Sequence, residues 1–414
     1  MVNGELPDGW QMTTLGEATK PMQKRVNPQD YPDLPYIGME NVEAHTMRLL
    51  GTVPSKEMKS TADSFSAGDV LYGRLRPYLN KVYLPDFDGL CSTEFIVFRK
   101  VPHLYSKYLQ YFLNSWEFVQ FSNSLNAGDR PRVKFEQFAD YSFPVPSLPE
   151  QERIVAKIEE LFTQLEAGTS ALERVQAGLR RYKASVLKAA VSGRLVNGNL
   201  EINEGELPKG WRWARAEDIC EFITKGTTPK ANKLFSGSGD VPFIKVYNLT
   251  FDGTLDFSVN PTFVSKETHA GELARSKVYP GDVLMNIVGP PLGKVSIAPD
   301  TFPEWNMNQA VARFRPLEFC DRKYLSIALR TEGVLSWAVK RAKATAGQFN
   351  LTLEICRDLP IPLPPLEEQR RIVAEVERRL SVAREVESVV EKALARSARL
   401  RQAVLKSAFE GKLT

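Results

Sequence analysis

The chain is poor in the residues from which metal sites and disulfide frameworks are built. Its 414 residues include four cysteines and three histidines, with no Cys-x-x-Cys pair and no His beside another His or Cys. We therefore expect reduced thiols, as in cytoplasmic proteins, and no zinc site. The phosphate loop G-x-x-x-x-G-K-[ST], the cofactor turn G-x-G-x-x-G and the Asn-Pro-Pro-aromatic motif of amino-methyltransferases are also missing. These absences argue against a nucleotide-hydrolysing, dinucleotide-binding or methyl-transferring site in this chain.

Long apolar runs are missing as well. No stretch approaches the roughly 20 apolar residues of a membrane span, and the first residues lack the pattern of a signal peptide. We expect a cytoplasmic protein without membrane contact. Its net charge of +4 and pI of about 8.7 permit nucleic acid as a partner without requiring it.

The sequence contains an internal repeat. Residues 5–10 and 68–71 recur loosely as 206–211 and 281–284, whereas the stretch 151–193 recurs without a gap in 369–411. A simple duplication would not by itself predict that one part repeats without insertions or deletions while the rest diverges. The repeat therefore indicates two similar globular domains, each joined to a segment that repeats without a gap.

The rigidly copied segments have the apolar spacing of long helices that pair. Apolar residues alternate at intervals of three and four, as in a heptad seam. With Gly168 and Tyr182 included, the seam of the first copy is unbroken, and that of the second is nearly as regular. The first comprises Ile154, Ile158, Leu161, Leu165, Gly168, Leu172, Val175, Leu179, Tyr182, Val186 and Ala189, and the second Ile372, Val376, Leu380, Ala383, Val386, Val390, Ala393, Leu400 and Val404. Pro149 suits a first helical turn, and Gly193 and Gly411 suit left-handed C-terminal caps.

The direction of the pairing follows from chain length. A helix of about 45 residues is roughly 65 Å long. In a parallel pair the second globular domain would have to return the chain over that distance, which an antiparallel pair does not require. We therefore predict an α+β fold. It has two similar mixed α/β domains, separated by two long antiparallel coiled-coil helices in a pseudo-twofold internal repeat.

Loops of the first domain are rich in groups that contact phosphates or base edges. The stretch 73–81 contains three cations, an Asn and a Tyr, and 128–134 adds three more cations. Arginine reads guanine edges and lysine holds phosphate. The candidate DNA-contacting residues of this domain are Lys24, Arg25, Arg74, Arg76, Tyr78, Asn80, Lys81, Arg130, Arg132 and Lys134.

The second domain offers a different set in 225–230, 306–309 and 341–350. Asn and Gln, which read adenine edges, are frequent in it. The candidates are Lys225, Thr227, Thr228, Lys230, Asn308, Gln309, Arg341, Lys343, Gln348 and Asn350. A solvated turn is the alternative for any single residue, whereas the set as a whole favours DNA contact.

Several repeated motifs resemble one known family. They are Pro149–Val155 and Leu366–Val373 at the helix starts, Leu187–Leu195 and Leu405–Leu413 at the helix ends, the openings Leu6–Trp10 and Leu207–Trp211, and Gly226–Pro229. With these motifs, the chain resembles the specificity subunits of type I restriction–modification enzymes over essentially its whole length.

The resemblance implies a division of the chain into four parts. Residues 1–146 would form an N-terminal target recognition domain, 147–195 a central conserved helix, 196–364 a C-terminal target recognition domain and 365–414 a C-terminal conserved helix. Each recognition domain would read one half of a split site in double-stranded DNA, so divergent domains imply an asymmetric bipartite site.

The resemblance also implies partners and cofactors. The helices would dock two modification subunits, through outward-facing charges such as Arg153, Lys157, Arg371 and Glu375. The modification subunits would bind S-adenosylmethionine, and restriction subunits would use ATP and Mg²⁺. No cofactor or catalysis is expected in this chain itself.

Two other classes of protein remain as alternatives. A nuclease or methyltransferase fusion is disfavoured by length and by the missing motifs; Glu57-Met58-Lys59 matches a nuclease E-x-K only superficially, in a polar stretch. A coiled-coil scaffold without DNA contact is disfavoured by the cation-rich loops. The target sequence and spacer cannot be read from the residues.

Overall fold

The computed structural model describes residues 6–126, 128–196, 206–345 and 347–413. The chain divides into two compact units. Unit 1 comprises residues 1–173 with 391–414, and unit 2 comprises 174–390. Two helices, Leu148–Val191 and Leu366–Phe409, supply residues to both units. They are called here the first and the second long helix.

The globular part of unit 1 is built on small sheets and short helices. Its sheets, in order of pairing, are a two-stranded ladder of Gln11–Thr14 and Ser142–Val145, a four-stranded sheet of Lys20–Pro21, Phe95–Arg99, Val70–Gly73 and Val82–Tyr83, and a five-stranded sheet of Arg25–Val26, Ala62–Phe65, Gly89–Ser92, Pro35–Ile37 and Val53–Pro54. Its α-helices before the first long helix are Leu15–Ala18, Ser106–Leu113 and Trp116–Ser124.

The globular part of unit 2 follows a similar plan, with its five-stranded sheet extended at the other edge and one sheet added. Its sheets are a two-stranded ladder of Arg212–Arg215 and Pro360–Leu363, a four-stranded sheet of Cys220–Lys225, Val311–Pro316, Val283–Asn286 and Val295–Ile297, a five-stranded sheet of Phe235–Ser236, Thr262–Val264, Val241–Ile244, Trp305–Met307 and Lys277–Val278, and an added three-stranded sheet of Val288–Gly289, Gln348–Asn350 and Lys343–Thr345. Its α-helices between the long helices are Lys266–Ala270, Arg322–Leu329, Glu332–Arg341 and Leu353–Arg357.

The two units confirm the predicted α+β repeat. In both, the five-stranded sheet contains one parallel pairing, between Pro35–Ile37 and Gly89–Ser92 in unit 1 and between Val241–Ile244 and Trp305–Met307 in unit 2. In both, two short helices follow one another before the long helix, because Ser115 and Thr331 adopt extended backbone and start a new helix.

The long helices run antiparallel within each unit, as predicted. In unit 1 the Thr169 hydroxyl lies 2.8 Å from that of Ser397, and one turn earlier Glu166 pairs with Arg401, so the residue numbers rise on one helix while they fall on the other. In unit 2 Lys183 forms an ion pair with Glu387. Each long helix has 44 residues. Neither, nor any other described helix, has the combination of length and apolar character that a membrane span needs.

The seam between the long helices is less continuous than predicted. It is buried at Ile154 and Ile158 in unit 1 and at Val186, Ile372 and Val376 in unit 2. Four predicted seam residues are exposed by about two fifths of their surface: Val175, Tyr182, Val386 and Leu400. The seam is covered best where a globular domain packs beside it, since two helices alone bury only one side of each stripe.

Each long helix is followed, two residues after its end, by a glycine that lies against a proline from the repeated opening motif. Gly411 has a φ of 69° and Gly193 a φ of 74°, the left-handed conformation predicted for these caps. A side chain on Gly411 would collide with Pro7 within unit 1, and one on Gly193 would collide with Pro208 within unit 2. The two best-copied motifs of the sequence therefore meet in space.

The start of each long helix is tied to its domain by a buried glutamine. Gln151 is fully buried; it accepts a hydrogen bond from the Tyr105 N–H at 2.8 Å and donates to the carbonyls of His103 and Pro146 at 3.2 and 2.9 Å. Gln369 makes the matching bonds in unit 2: it accepts from the Asp321 N–H and donates to the carbonyls of Phe319 and Pro364. One side chain thus satisfies three backbone groups at the junction of helix and domain.

Substituting this glutamine tests the tie. We expect Gln151→Leu to lower the free energy of unfolding of unit 1 by about 2–4 kcal/mol, because each buried backbone group left without a partner costs about 1–3 kcal/mol. Hydrogen exchange of unit 1 amides measures the change. Gln164→Leu, at an exposed glutamine of the same helix, is the matched control with little expected effect. Equal effects of the two substitutions would contradict the assignment.

Candidate nucleic-acid interface

In unit 1 the structure brings the two cation-rich loops together. The loop 73–81 leaves the strand Val70–Gly73 and lies beside 128–134. The Arg76 N–H donates to the Pro131 carbonyl at 2.8 Å, and the Val133 N–H donates to the Arg74 carbonyl at 3.0 Å. Two segments far apart in sequence therefore form one cationic surface.

Arginine and tyrosine side chains of loop 73–81 reach the surface of unit 1. Arg74 and Arg76 are half-buried with their Nε atoms shielded from solvent, and the Tyr78 side chain is 42% exposed. Arg76 holds a φ of 53° and starts the short 3₁₀ turn Pro77–Leu79, so the loop changes direction at this arginine. The three side chains are available to a ligand that approaches this face.

Two other predicted contacts in this loop have structural partners instead. Asn80 is 3% exposed, and its amide donates to the Asn114 carbonyl at 3.4 Å. Lys81 is partly buried, which lowers the pKa of its ammonium, and its Nζ donates to the Met39 carbonyl at 2.5 Å. Sequence reasoning placed both on the binding surface; in the structure they brace the loop from behind, because the turn directs them inward.

The second loop is exposed, and one of its arginines is already paired. Arg130 and Lys134 are exposed. Arg132 makes a bidentate contact with Glu94, at 2.8 Å from Nη2 and 3.0 Å from Nε, and this bonding raises the pKa of Arg132. Glu94 was not predicted, because an isolated acid in the sequence carries no sign of the arginine it meets. It holds the guanidinium plane in one orientation.

The predicted pair Lys24 and Arg25 lies next to the strand that carries Asp63. Both cations are exposed. Arg25 is paired in register with Asp63 across the five-stranded sheet, and its Nε lies 3.7 Å from the carboxylate. Arg25 thus joins a charged group that sequence reasoning did not connect with the loops.

In unit 2 the Gly-Thr-Thr-Pro segment packs directly on the segment that contains Asn308 and Gln309. The Thr227 N–H donates to the Met307 carbonyl at 3.2 Å, and Thr228 shares a hydrogen bond with Gln309 through their side chains. A side chain on Gly226 would collide with the carbonyl oxygens of Met307 and Asn308. Glycine is therefore required for this close approach.

The remaining polar groups around this contact differ in exposure. Lys225, Thr228, Lys230 and Gln309 are exposed, whereas Thr227 and Asn308 are half-buried. The Asn308 N–H donates to the Ile244 carbonyl at 3.0 Å, which places the next residue, Lys245, beside the same surface. The Lys245 Nζ lies 5.8 Å over the half-exposed ring of Tyr247. Sequence reasoning missed this pair.

The third predicted stretch of unit 2 lies partly on the added three-stranded sheet. Gln348 and Asn350 are exposed on the strand Gln348–Asn350, and Arg341 stacks on Trp337 at 3.9 Å. Lys343 lies on the strand Lys343–Thr345, and its side chain is outside the described residues. The stretch therefore contributes exposed amides and one arginine held against an aromatic ring.

Equivalent positions in the two units carry different chemistry. In unit 1 Leu75 pairs with Arg132 in an isolated antiparallel β-bridge, and in unit 2 Val288 pairs with Asn350 in the same antiparallel manner. Arg132 and Asn350 therefore occupy equivalent positions. The cation of one unit is thus replaced by a neutral amide in the other. Two surfaces with the same backbone plan therefore present different donors and acceptors.

The described residues offer little for metal or nucleophilic chemistry. No group of three or more His, Cys, Asp or Glu side chains within these ranges is arranged to hold a metal ion. All four cysteines are buried and free, and burial raises the pKa of Cys320 and of Cys356 to about 12. Such thiols stay protonated near neutral pH.

Comparison with a family model agrees with the internal repeat. The model described as type I restriction modification DNA specificity domain matches residues 7–174 and again residues 208–380. Each match covers one globular domain and the first part of the long helix that follows it. The repeat seen in the fold is therefore a repeat of this domain.

Curated relatives are specificity subunits of type I restriction enzymes. The chain is 31% identical over 289 residues to the EcoBI specificity subunit of Escherichia coli; that match covers 66% of this chain and 59% of the subunit, less than two thirds of its length. It is 25% identical over 440 residues to the EcoKI specificity subunit of Escherichia coli strain K12, which covers 100% of this chain and 91% of that subunit.

Solved structures of similar fold agree with these sequence matches. One chain from a type I R-M system, studied for complex assembly and conformational transition, is 25% identical, with a TM-score of 0.80 and coverage of 99% of this chain and 100% of that chain. The HsdS subunit from Thermoanaerobacter tengcongensis is 26% identical, with a TM-score of 0.56 and coverage of 99% of both chains. With two family domains, two long helices and these relatives, the chain belongs to the family of type I restriction–modification specificity subunits.

Proposed function

We propose that this chain reads an asymmetric, bipartite site in double-stranded DNA, with one half-site for each unit, and that it docks modification subunits. It would act in the cytoplasm, where the DNA lies. The observation that carries the proposal is the meeting of loops 73–81 and 128–134 in one cationic surface of unit 1. Membership of the specificity family supports the same function.

The chemistry of each surface suits base reading. The forked guanidinium of arginine matches the two acceptors of a guanine edge, and the amides of Asn and Gln match adenine. Unit 1 offers Arg74, Arg76 and Arg130, whereas unit 2 offers Gln309, Gln348 and Asn350. Because the two sets differ, the two half-sites should differ in sequence.

The chemical steps would belong to other subunits. S-adenosylmethionine would be bound by modification subunits, and ATP and Mg²⁺ would be used by restriction subunits. The rival proposal of a methyltransferase or nuclease within this chain is disfavoured by the missing sequence motifs, and the described residues contain no group of three or more His, Cys, Asp or Glu arranged to hold a metal ion. A pure scaffold would leave the clustered cations of unit 1 without a role.

The second long helix carries a surface that suits the docking of a modification subunit. Val382, Val386 and Val389 are exposed by 54%, 39% and 65%, and their spacing places them on one face. Of the charges considered from the sequence, three have partners on their own helices: Arg153 pairs with Glu150, Lys157 with Glu160, and Glu375 with Arg378 and Arg379. An exposed apolar stripe on a helix favours a helical partner.

Arginine substitution tests the DNA-reading proposal. In the assembled complex, Arg74→Ala is expected to weaken binding to the cognate site by about 1–3 kcal/mol and to relax base preference in one half-site only. Gln309→Ala should relax preference in the other half-site. Maps of methylated adenines and binding to duplexes with single base changes measure both effects.

The control for this test is Arg48→Ala. Arg48 is an exposed arginine of unit 1 outside the cationic loops, paired with Glu43. It should leave base preference unchanged. A uniform loss of affinity for all sequences in Arg74→Ala, with a smaller salt dependence, would instead assign this arginine to phosphate contact. Unchanged binding by Arg74→Ala and Arg76→Ala would remove the loop from the DNA-binding surface.

Assembly tests the docking proposal. The chain alone should transfer no methyl group from S-adenosylmethionine, and its mixture with modification subunits should. A variant with Val382, Val386 and Val389 changed to Asp should no longer form the complex on size-exclusion chromatography, because the apolar contact is lost. Ser381→Asp with Ser388→Asp adds charge to the same helix without removing apolar surface, and it should still assemble. Full assembly of the valine variant would place the docking surface elsewhere.

A further inference from the structure

Unit 1 contains a fully buried carboxylate with no hydrogen bond. Asp63 lies in the strand Ala62–Phe65, opposite Cys91, and its side chain is 0% exposed. Neither of its oxygens accepts a hydrogen bond from any residue that the structure describes. A buried charge in this position is costly unless other charges stabilise it. The cost of burying Asp63 therefore depends on the charges around it.

Three arginines surround Asp63. Burial raises the pKa of its carboxyl, while the charges of Arg25, Arg74 and Arg99 act in the opposite direction and favour the ionised form. Arg99 is occupied elsewhere, since it donates to Asp69 at 2.6 Å and to the Ser64 carbonyl at 3.0 Å. This leaves Arg25, whose Nε lies 3.7 Å from the carboxylate, as the arginine in contact with Asp63, and Arg74 as a second arginine whose charge acts on it.

The inner edge of Arg74 fits this role. Its Nε is shielded from solvent and has no hydrogen-bond partner among the described residues, although the residue as a whole is half-exposed. Solvent therefore reaches atoms of Arg74 other than Nε. Because the charge of Asp63 acts on Arg74 without a hydrogen bond, the nitrogens of the guanidinium stay free for a base edge.

Asp63 and Arg74 occur together in unit 1, and neither is present at the corresponding place of unit 2, although Arg99 has a counterpart there in Arg315, which pairs with Asp282. The residue after the strand Val283–Asn286, at the place of Arg74, is the buried Ile287. The place of Asp63, just before the strand Lys277–Val278, is taken by the buried Ser276. Where the arginine is missing, the buried acid is missing too. If Asp63 were needed only for folding, it would not have to occur together with Arg74.

We propose that Asp63 is a positioning residue, which orients Arg25 and Arg74 so that unit 1 discriminates between base sequences. The inference rests on the proposed DNA-reading function of unit 1. It also predicts the direction of two separate effects. Loss of a negative charge near the surface favours attraction of any DNA, whereas loss of arginine orientation reduces discrimination.

The test uses Asp63→Asn in the full complex with modification subunits. Dissociation constants are measured for a cognate duplex and for a duplex changed in the half-site read by unit 1. The ratio of the two constants is expected to fall about 10-fold, while affinity for the changed duplex stays equal or rises. A variant that merely unfolds unit 1 would lose affinity for both. Asp63→Ser, which introduces the residue found in unit 2, is the second variant if Asp63→Asn is unstable.

Two further comparisons make the outcome decisive. On an Arg25→Gln, Arg74→Gln background, Asp63→Asn should cause no additional loss of discrimination, as expected for residues that act together. Glu57→Gln removes an exposed carboxylate of the same unit and should leave the ratio unchanged. An unchanged ratio in Asp63→Asn, with Arg74→Ala still losing discrimination, would overturn the positioning role alone. Loss in neither variant would overturn the DNA-reading function of this loop as well.

Discussion

The two long helices cannot bury their apolar stripes alone, and much of the structure follows from this constraint. Each of the 44-residue helices must find a partner, and within each unit it packs against the other helix and a globular domain. The antiparallel direction lets the start of one helix and the end of the other share one core. In unit 1 Ile158 and Phe409 belong to the same apolar cluster.

The sites that fasten helix to domain are built from backbone contacts and so tolerate little change. Gln151 and Gln369 each satisfy three backbone groups, and Gly193 and Gly411 each lie against a proline where no side chain fits. These requirements explain why the helix segments are copied without a gap. The loops carry no such requirement except at close approaches such as Gly226, so they are free to differ between the units.

Acidic residues set how the arginines of unit 1 present themselves. Arg132 is held in a bidentate contact by Glu94, and Asp63 is buried among three arginines. Free arginines would attract any DNA through its phosphates, whereas fixed ones can match a particular base edge. The acids therefore weaken the general attraction of unit 1 for DNA, and in return they fix the orientation of its arginines. Unit 2 presents different groups: it offers amides, and its Arg341 is oriented by stacking on Trp337.

The sequence by itself determined the features that depend on period and repetition. The heptad spacing predicted both long helices, and the length of chain available to return between them predicted their antiparallel direction. Tertiary structure alone decided which polar side chains meet. Asn80 turned inward, Glu94 met Arg132, Asp63 met Arg25, and Val386 remained exposed although it fits the seam. Period is a local property that can be read along the chain, whereas these contacts join residues far apart in sequence and depend on how strands and turns direct each side chain.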